Sequence, residues 1–247
     1  MQKGQHPVNS LSIDIRRAAS RFLTRTSWLT SWHSFSFSHH YDPRNTRFGL
    51  LVVSNDDIIQ PETGFGMHPH QDMEIVTWVL EGELEHQDNL GNKGVIYPGL
   101  AQRMSAGTGI WHSEMNPSRD RPVRLVQMWV LPDTQGIPPS YEQRDIAQEM
   151  TRGGLVPIAS GQGHPGTIFI HQTNAVLWVG RLKPGEVVKL PRAPFVYLYV
   201  AQGSAELEQA ETLSTGDAAR LTNASPLTLT ASSEAGAEVL VWEMGGE

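Results

Sequence analysis

Gly66-Met67-His68-Pro69-His70 and Gly107-Thr108-Gly109-Ile110-Trp111-His112-Ser113-Glu114-Met115-Asn116 are the two stretches that decide how this chain is read. Residues two apart on a strand point to the same face, so His68 and His70 form one such pair and His112 and Glu114 another. Pro69 lacks a backbone donor, which places its strand at a sheet edge or at the entry to a sheet. Two pairs on neighbouring strands would offer four nitrogen and oxygen donors to one ion and leave positions for water or substrate. A lone histidine is more often a core or surface group, but that account is strained for two pairs, each preceded by a glycine-rich turn. Glu74 shares the parity of His68 and His70. On spacing alone it competes with Glu114 as the carboxylate ligand, or it is a supporting or salt-bridging group.

Composition agrees with a site of this kind. The 247 residues include no cysteine, which excludes disulfides, thiolate zinc sites and cysteine-held iron–sulfur clusters. Any metal must therefore sit on imidazole and carboxylate. Lys and Arg number 19 against 26 Asp and Glu, and a net charge of −7 argues against direct nucleic-acid binding. No window has the length and apolarity of a membrane span. Arg16, Arg17, Arg21 and Arg25, with Ser20, Thr24 and Thr26, imitate the composition of an organellar targeting segment. They are read instead as solvated arginines of a first strand region, and a cytoplasmic protein is expected.

Working outward, short apolar runs alternate with turn residues, as in an all-β sandwich or barrel. Phe48–Ser54 reads as a strand ended by Asn55-Asp56-Asp57, and Glu74–Leu80 as another, closed by Glu81-Gly82. Glu83–Asp88 alternates, Asn89-Leu90-Gly91-Asn92 reads as a hairpin turn, and Leu125–Leu131 as a long buried strand. Pro132–Pro139 is a linker by composition, and the polar stretch from Tyr141 to Met150 suggests a short helix. The halves also echo each other. Thr77–Gly82 followed by Glu83-Leu84-Glu85 matches Leu198–Gly203 followed by Ser204–Leu207, and Tyr97-Pro98-Gly99 matches Ser214–Asp217. Two β-domains of one design are expected, residues 1–134 and 135–247.

The first motif, with Glu74 and Gly82, and the second, Gly109-x-x-His112-x-x-x-Asn116, resemble the paired motifs of the cupin superfamily, although the second lacks the usual proline. Longer segments are similar to the pirin family, in particular to bacterial pirin-like quercetin 2,3-dioxygenases. They are His33–Phe37, Tyr41-Asp42-Pro43, Asn55-Asp56-Asp57, His68–Ile75, Leu80-Glu81-Gly82 and His112–Asn116. The resemblance covers about residues 11 to 145 and continues more weakly beyond. It implies a bicupin of two antiparallel β-barrels with one metal in the first, held by His68, His70, His112 and Glu114, and it leaves Glu74 out of the ligand set. Matching the repeats puts Lys189 and Pro191 opposite His68 and His70, and Leu229 and Ala231 opposite His112 and Glu114, so the second barrel is expected to be metal-free.

The resemblance also implies a reaction. A flavonol such as quercetin would bind a divalent transition metal through its 3-hydroxyl, and O2 would open its heterocyclic ring with release of carbon monoxide. Iron(II) is the leading metal, with manganese, cobalt, nickel, copper and zinc as alternatives. Glu114 is the candidate catalytic base, with Glu74 as a conceivable relay. Phe35, Phe37, Phe65, Met104, Trp111, Met115 and Met128 are candidates for an aromatic-binding pocket, about a third of them expected to line it. His86 is placed toward the barrel interior as a structural group, and His33, His39, His40, His164 and His171 are read as structural or surface residues. One competing reading is a non-enzymatic, redox-sensitive regulator working through a protein partner. Another is an isomerase, or a dioxygenase for a different aromatic enol.

Overall fold

The computed structural model describes residues 10–246. The first nine residues of the expected N-terminal domain, and Glu247, lie outside the described residues. The regular structure is β apart from a three-residue 3-10 turn, Ala18–Ser20, and one α-helical turn, Ala147–Met150.

A seven-stranded sheet runs in the order Ser140–Asp145, Leu100–Ser105, Glu74–Glu81, Val123–Val130, Leu51–Ile59, Leu29–His33 and Phe22–Arg25. A four-stranded sheet, Gly64–His70, Ile110–Met115, Leu84–Asp88 and Lys93–Ile96, closes over it. Leu84 and Ile96 from the smaller sheet meet Leu29, Ile59, Val79, Leu100 and Leu125 from the larger, which gives the first barrel its filling. The second barrel is built mainly on Ala218–Thr222, Phe195–Leu207, Ala237–Met244 and Ala175–Leu182, with Val187–Lys189 paired to Thr228–Ala231, which in turn pairs with Phe195–Leu207. The two-barrel, all-β architecture expected from the repeat is the one observed.

Glu74–Glu81 is buried over nearly its whole length because both of its faces are used. Val79 points into the first barrel, while Val76, Trp78 and Leu80 join Tyr197, Tyr199, Leu240 and Trp242 in a core between the barrels. Trp78 also donates its indole N–H to Glu238 across the seam at 2.7 Å. Trp78→Ala should therefore cost about 3–5 kcal/mol, the range for large aromatics removed from cores. Equilibrium urea denaturation will measure this, and a loss below about 1 kcal/mol would mean the seam contributes little.

The internal repeat is visible in the backbone. Gly82 and Gly203 adopt φ of +78° and +76°, and Gly99 and Gly216 of +99° and +87°, left-handed turns that favour glycine. Strand pairing nevertheless crosses residue 135 in both directions. Ser12–Arg16 pairs with Ala218–Thr222, and Ser140–Asp145 pairs with Leu100–Ser105. Each barrel thus lends an edge strand to the other's sheet, which covers backbone groups that an open edge would expose. The stretch from Tyr141 to Met150 holds the expected short helix, Ala147–Met150, after a strand that ends at Asp145.

Two expectations are corrected. Asn55, Asp56 and Asp57 do not end a strand but lie inside Leu51–Ile59, buried between two neighbours. In the second barrel, Val188 pairs with Leu229 in the manner of His68 with His112, so Val188 rather than Lys189 is the counterpart of His68. Val188, Leu190, Leu207 and Leu229 fill that interior with hydrocarbon. These four side chains carry no metal-ligating atom, and the counterpart of His68 is shifted by one from the residue that matching the glycines picked.

Candidate metal centre

Gly64–His70 is an edge strand, as Pro69 requires, and it pairs with Ile110–Met115. His68 sits opposite His112 and His70 opposite Ile110. Between Phe65 and His68 the edge strand carries one residue more than its partner, a bulge at Gly66-Met67. The extra residue reverses the strand's parity. It lets Phe65 share the inner face with His68 and His70, while Met67 turns out to solvent.

The three imidazoles converge. Ring centroids of His68 and His112 lie 4.4 Å apart, of His68 and His70 4.9 Å, and of His70 and His112 5.0 Å. One nitrogen from each falls within 4.8 Å of the others, close enough to share an ion. Glu114 is outside this set of three but lines the same cavity, where Gln127 donates its amide N–H to the two carboxylate oxygens at 2.8 and 3.0 Å.

Hydrogen bonding selects the tautomers. His68 Nδ1 lies 2.7 Å from the Gly66 carbonyl oxygen, which can only accept, so Nδ1 carries the proton and Nε2 is left with a lone pair. Behind His112 stands His86, fully buried and stacked on Tyr141. The Asp88 carboxylate accepts from His86 Nε2 at 3.3 Å, so His86 Nδ1 can accept from His112 Nδ1 at 3.4 Å. That chain turns His112 Nε2 into a buried lone pair with no hydrogen-bond partner. A buried acceptor left unpaired is costly, and a cation is the partner that suits it. Burial, then the neighbouring imidazoles, pushes His70 down to about 4 and His112 down to about 3. Both are therefore neutral donors at physiological pH. The residues present fit a divalent transition metal.

The cluster opens into a cavity of about 220 Å³. Phe37, Phe65 and Trp129 form its apolar walls, and Asn55, Asp57 and Gln127 its polar side. Of the seven apolar candidates, Phe37 and Phe65 line it. Phe35, Met104 and Met128 are core, and Trp111 is 49% exposed on the opposite face of its strand. Trp129 went unforeseen; it packs edge-on against His70, with centroids 4.8 Å apart, and donates to Gln127 Oε1 at 3.0 Å. His33, read as a structural or surface group, is buried and hydrogen-bonded to Asn55 Oδ1 at 2.9 Å, and it also lines the cavity. Glu74 is elsewhere. Its carboxylate accepts from Ser105 Oγ at 2.9 Å and from the His171 backbone N–H at 3.1 Å.

Asp57 is the acid that strand reading missed. It is buried in the cavity wall, its Oδ1 has no partner, and burial raises its carboxyl to about 7. Between the unfolded pKa near 4 and the folded value near 7, the native state binds the extra proton, so stability falls as pH rises through that window. Asp57→Asn should remove this fall. In urea denaturation of chelator-treated protein, the variant should gain on wild type from pH 5 to pH 8. A constant difference across that range would contradict the assignment.

A histidine cluster inside one of two packed barrels is the arrangement of a cupin-class protein. The family model for pirin matches residues 15–130, and that described as the quercetinase C-terminal cupin domain matches residues 157–244. The chain belongs to the pirin family. It is 58% identical to a Mycobacterium tuberculosis protein with the provisional name quercetin 2,3-dioxygenase, over 94% of this chain and 95% of that one. It is 39% identical to the Escherichia coli K12 quercetin 2,3-dioxygenase, over 94% of this chain and 98% of the relative. The crystal structure of the bacterial pirin YhhW in complex with nickel(II), from Escherichia coli, superposes with a TM-score of 0.86 at 37% identity, covering 96% of this chain and 100% of that one. Among the described residues no helix is long and apolar enough to cross a membrane.

Proposed function

We propose that the chain is a cytoplasmic, metal-dependent oxidoreductase that opens the heterocyclic ring of flavonols such as quercetin with O2 and releases carbon monoxide. The observation that carries this reading is the convergence of His68, His70 and His112 beside Glu114 at the base of an aromatic-walled cavity. The metal ligands in this proposal are His68, His70, His112 and Glu114, with the metal confined to the unit spanning residues 1–134 and the unit 135–247 acting as its packing partner. Iron(II) is the leading candidate, and the donor set also accommodates manganese, cobalt, nickel, copper or zinc.

When bound, the metal supplies Lewis acidity that favours the ionised 3-hydroxyl of the substrate. The remaining work falls to the chain. Phe37, Phe65 and Trp129 hold a flat ring system and exclude water from it. At about 220 Å³ the cavity is below the roughly 300 Å³ usual for drug-sized ligands, so part of a flavonol should remain in the mouth. In this reading Glu114 receives the hydroxyl proton, and the hydrogen bond from Gln127, which fixes its orientation, supports that role. Asp57, titrating near neutrality, is suited to hold that proton or return it to product.

The test is the visible absorbance of quercetin under air, with metal-loaded protein and with a chelated control. Loss of absorbance only in the loaded sample supports the reading. No turnover by fully loaded protein would overturn it and favour a non-catalytic role.

A further inference from the structure

The arginines of the first strand region are not all solvated. Arg21 has a side chain only 9% exposed, and it lines a second cavity, of about 170 Å³, at the seam of the two barrels. Arg220, from the second barrel, enters the same cavity and is 5% exposed. Tyr197 and Ser34 complete its inner wall, while Arg16 and Ser20 stand at its exposed rim. We propose that this cavity is a binding site for a small oxyanion, a phosphate or a carboxylate, separate from the metal centre.

Four buried polar atoms of this wall have no hydrogen-bond partner: Arg21 Nε, Arg220 Nε, Tyr197 Oη and Ser34 Oγ. Two of these are cationic N–H donors and two are hydroxyls, a set that matches the acceptors of an oxyanion. Aromatic faces account for part of the guanidinium burial. Arg220 lies 4.6 Å from the Phe35 centroid, and Arg21 lies 5.6 Å from that of Tyr199. Stacking satisfies the flat face of a guanidinium and leaves its in-plane N–H groups in need of acceptors.

The local charge balance points the same way. Arg220 has no carboxylate within 4.0 Å among the described residues; its Nη2 reaches only Asn45 Oδ1, at 2.6 Å, and the Ser34 carbonyl, at 3.3 Å. Arg21 shares the buried Asp56 with Arg124. Arg124 holds that carboxylate through two hydrogen bonds of 3.0 and 2.8 Å, and Arg21 stands 3.8 Å away. At the rim, Arg16 is paired with Asp14 and Asp42 with Arg44. Arg21 and Arg124 thus share one carboxylate, and Arg21 also donates to Tyr199 Oη at 2.8 Å. Arg220 has no carboxylate of its own among the described residues, so the buried groups here carry excess positive charge in a chain whose net charge is −7. A buried charge needs a partner, and an oxyanion is the class of partner that suits these donors.

Isothermal titration of the full chain with inorganic phosphate, and separately with acetate, at constant ionic strength set by chloride, tests the proposal. Saturable single-site binding of either ion is expected, and the better ligand distinguishes a phosphate from a carboxylate site. Tyr197→Phe removes a hydroxyl that supports nothing else, so the fold should be retained with an unchanged or higher melting temperature. Its affinity for the ion should nevertheless fall about tenfold, the usual loss for a hydrogen bond to a charged group. Arg220→Gln should abolish binding, and His112→Ala should bind as wild type does. Absence of saturable binding of both ions, wild-type affinity in Tyr197→Phe, or loss of binding in His112→Ala would each overturn the site.

Discussion

Replacing His112 with alanine is expected to lower bound metal from about one equivalent per chain to less than a tenth. Flavonol turnover should fall at least a hundredfold with it. The other imidazoles come from an edge strand, whereas His112 comes from an interior one, and its donor nitrogen is prepared by the Asp88–His86 relay. Losing a residue that merely supports a ligand typically reduces metal affinity 10–100-fold, so losing the ligand itself should do more. The metal-free variant should still fold at somewhat reduced stability: Nε2 has no hydrogen-bond partner to lose, but the buried His86 Nδ1 loses the donor at His112 Nδ1. Plasma mass spectrometry of metal content together with a melting curve separates the two effects. A variant that keeps a full equivalent of metal would show the ligand assignment to be wrong, and an unfolded one would show that His112 acts through the core.

Gly64→Ala is expected to be nearly as damaging, although Gly64 is not a ligand. A Cβ built there would lie 2.1 Å from the Glu114 carbonyl oxygen and 2.7 Å from the Met115 Cα, both backbone atoms that cannot rotate away. The strand carrying His68 and His70 would have to separate from the one carrying His112 and Glu114. We expect a stability loss of about 2 kcal/mol or more, in the range of overpacking strain, together with weakened metal retention. Gly66→Ala is the control. Two residues along the same strand, at the bulge, a Cβ meets nothing within 4 Å, so that variant should bind metal normally. Equal behaviour of the two variants would mean that close strand approach does not hold the site together.

How much of this was legible in the sequence depends on the range of the interactions concerned. The pairs His68/His70 and His112/Glu114 could be read because strand parity is local, and Pro69 marked an edge because its missing donor is a property of one residue. The bulge at Gly66-Met67 could not be read, because it is defined only by what the partner strand omits. Asn55-Asp56-Asp57 has turn chemistry by composition, and its burial comes from two flanking strands contributed by distant parts of the chain. Asp57 and His33 were missed at the cavity for that reason. Arg21 looked like a solvated arginine, and it is buried by distant parts of the chain, Trp32 and Asp56 of the first barrel and Tyr199 of the second. The repeat predicted a second barrel without ligands, but matching its glycines misplaced the counterpart of His68 by one residue, since strand register depends on pairing.

The most direct test of the whole account is the gas balance of quercetin oxidation by fully metal-loaded protein in a sealed cell. One O2 should be consumed and one carbon monoxide released per quercetin lost, with all three changes absent from the His112→Ala chain. Quercetin loss without carbon monoxide, or the same balance from the His112→Ala chain, would contradict it.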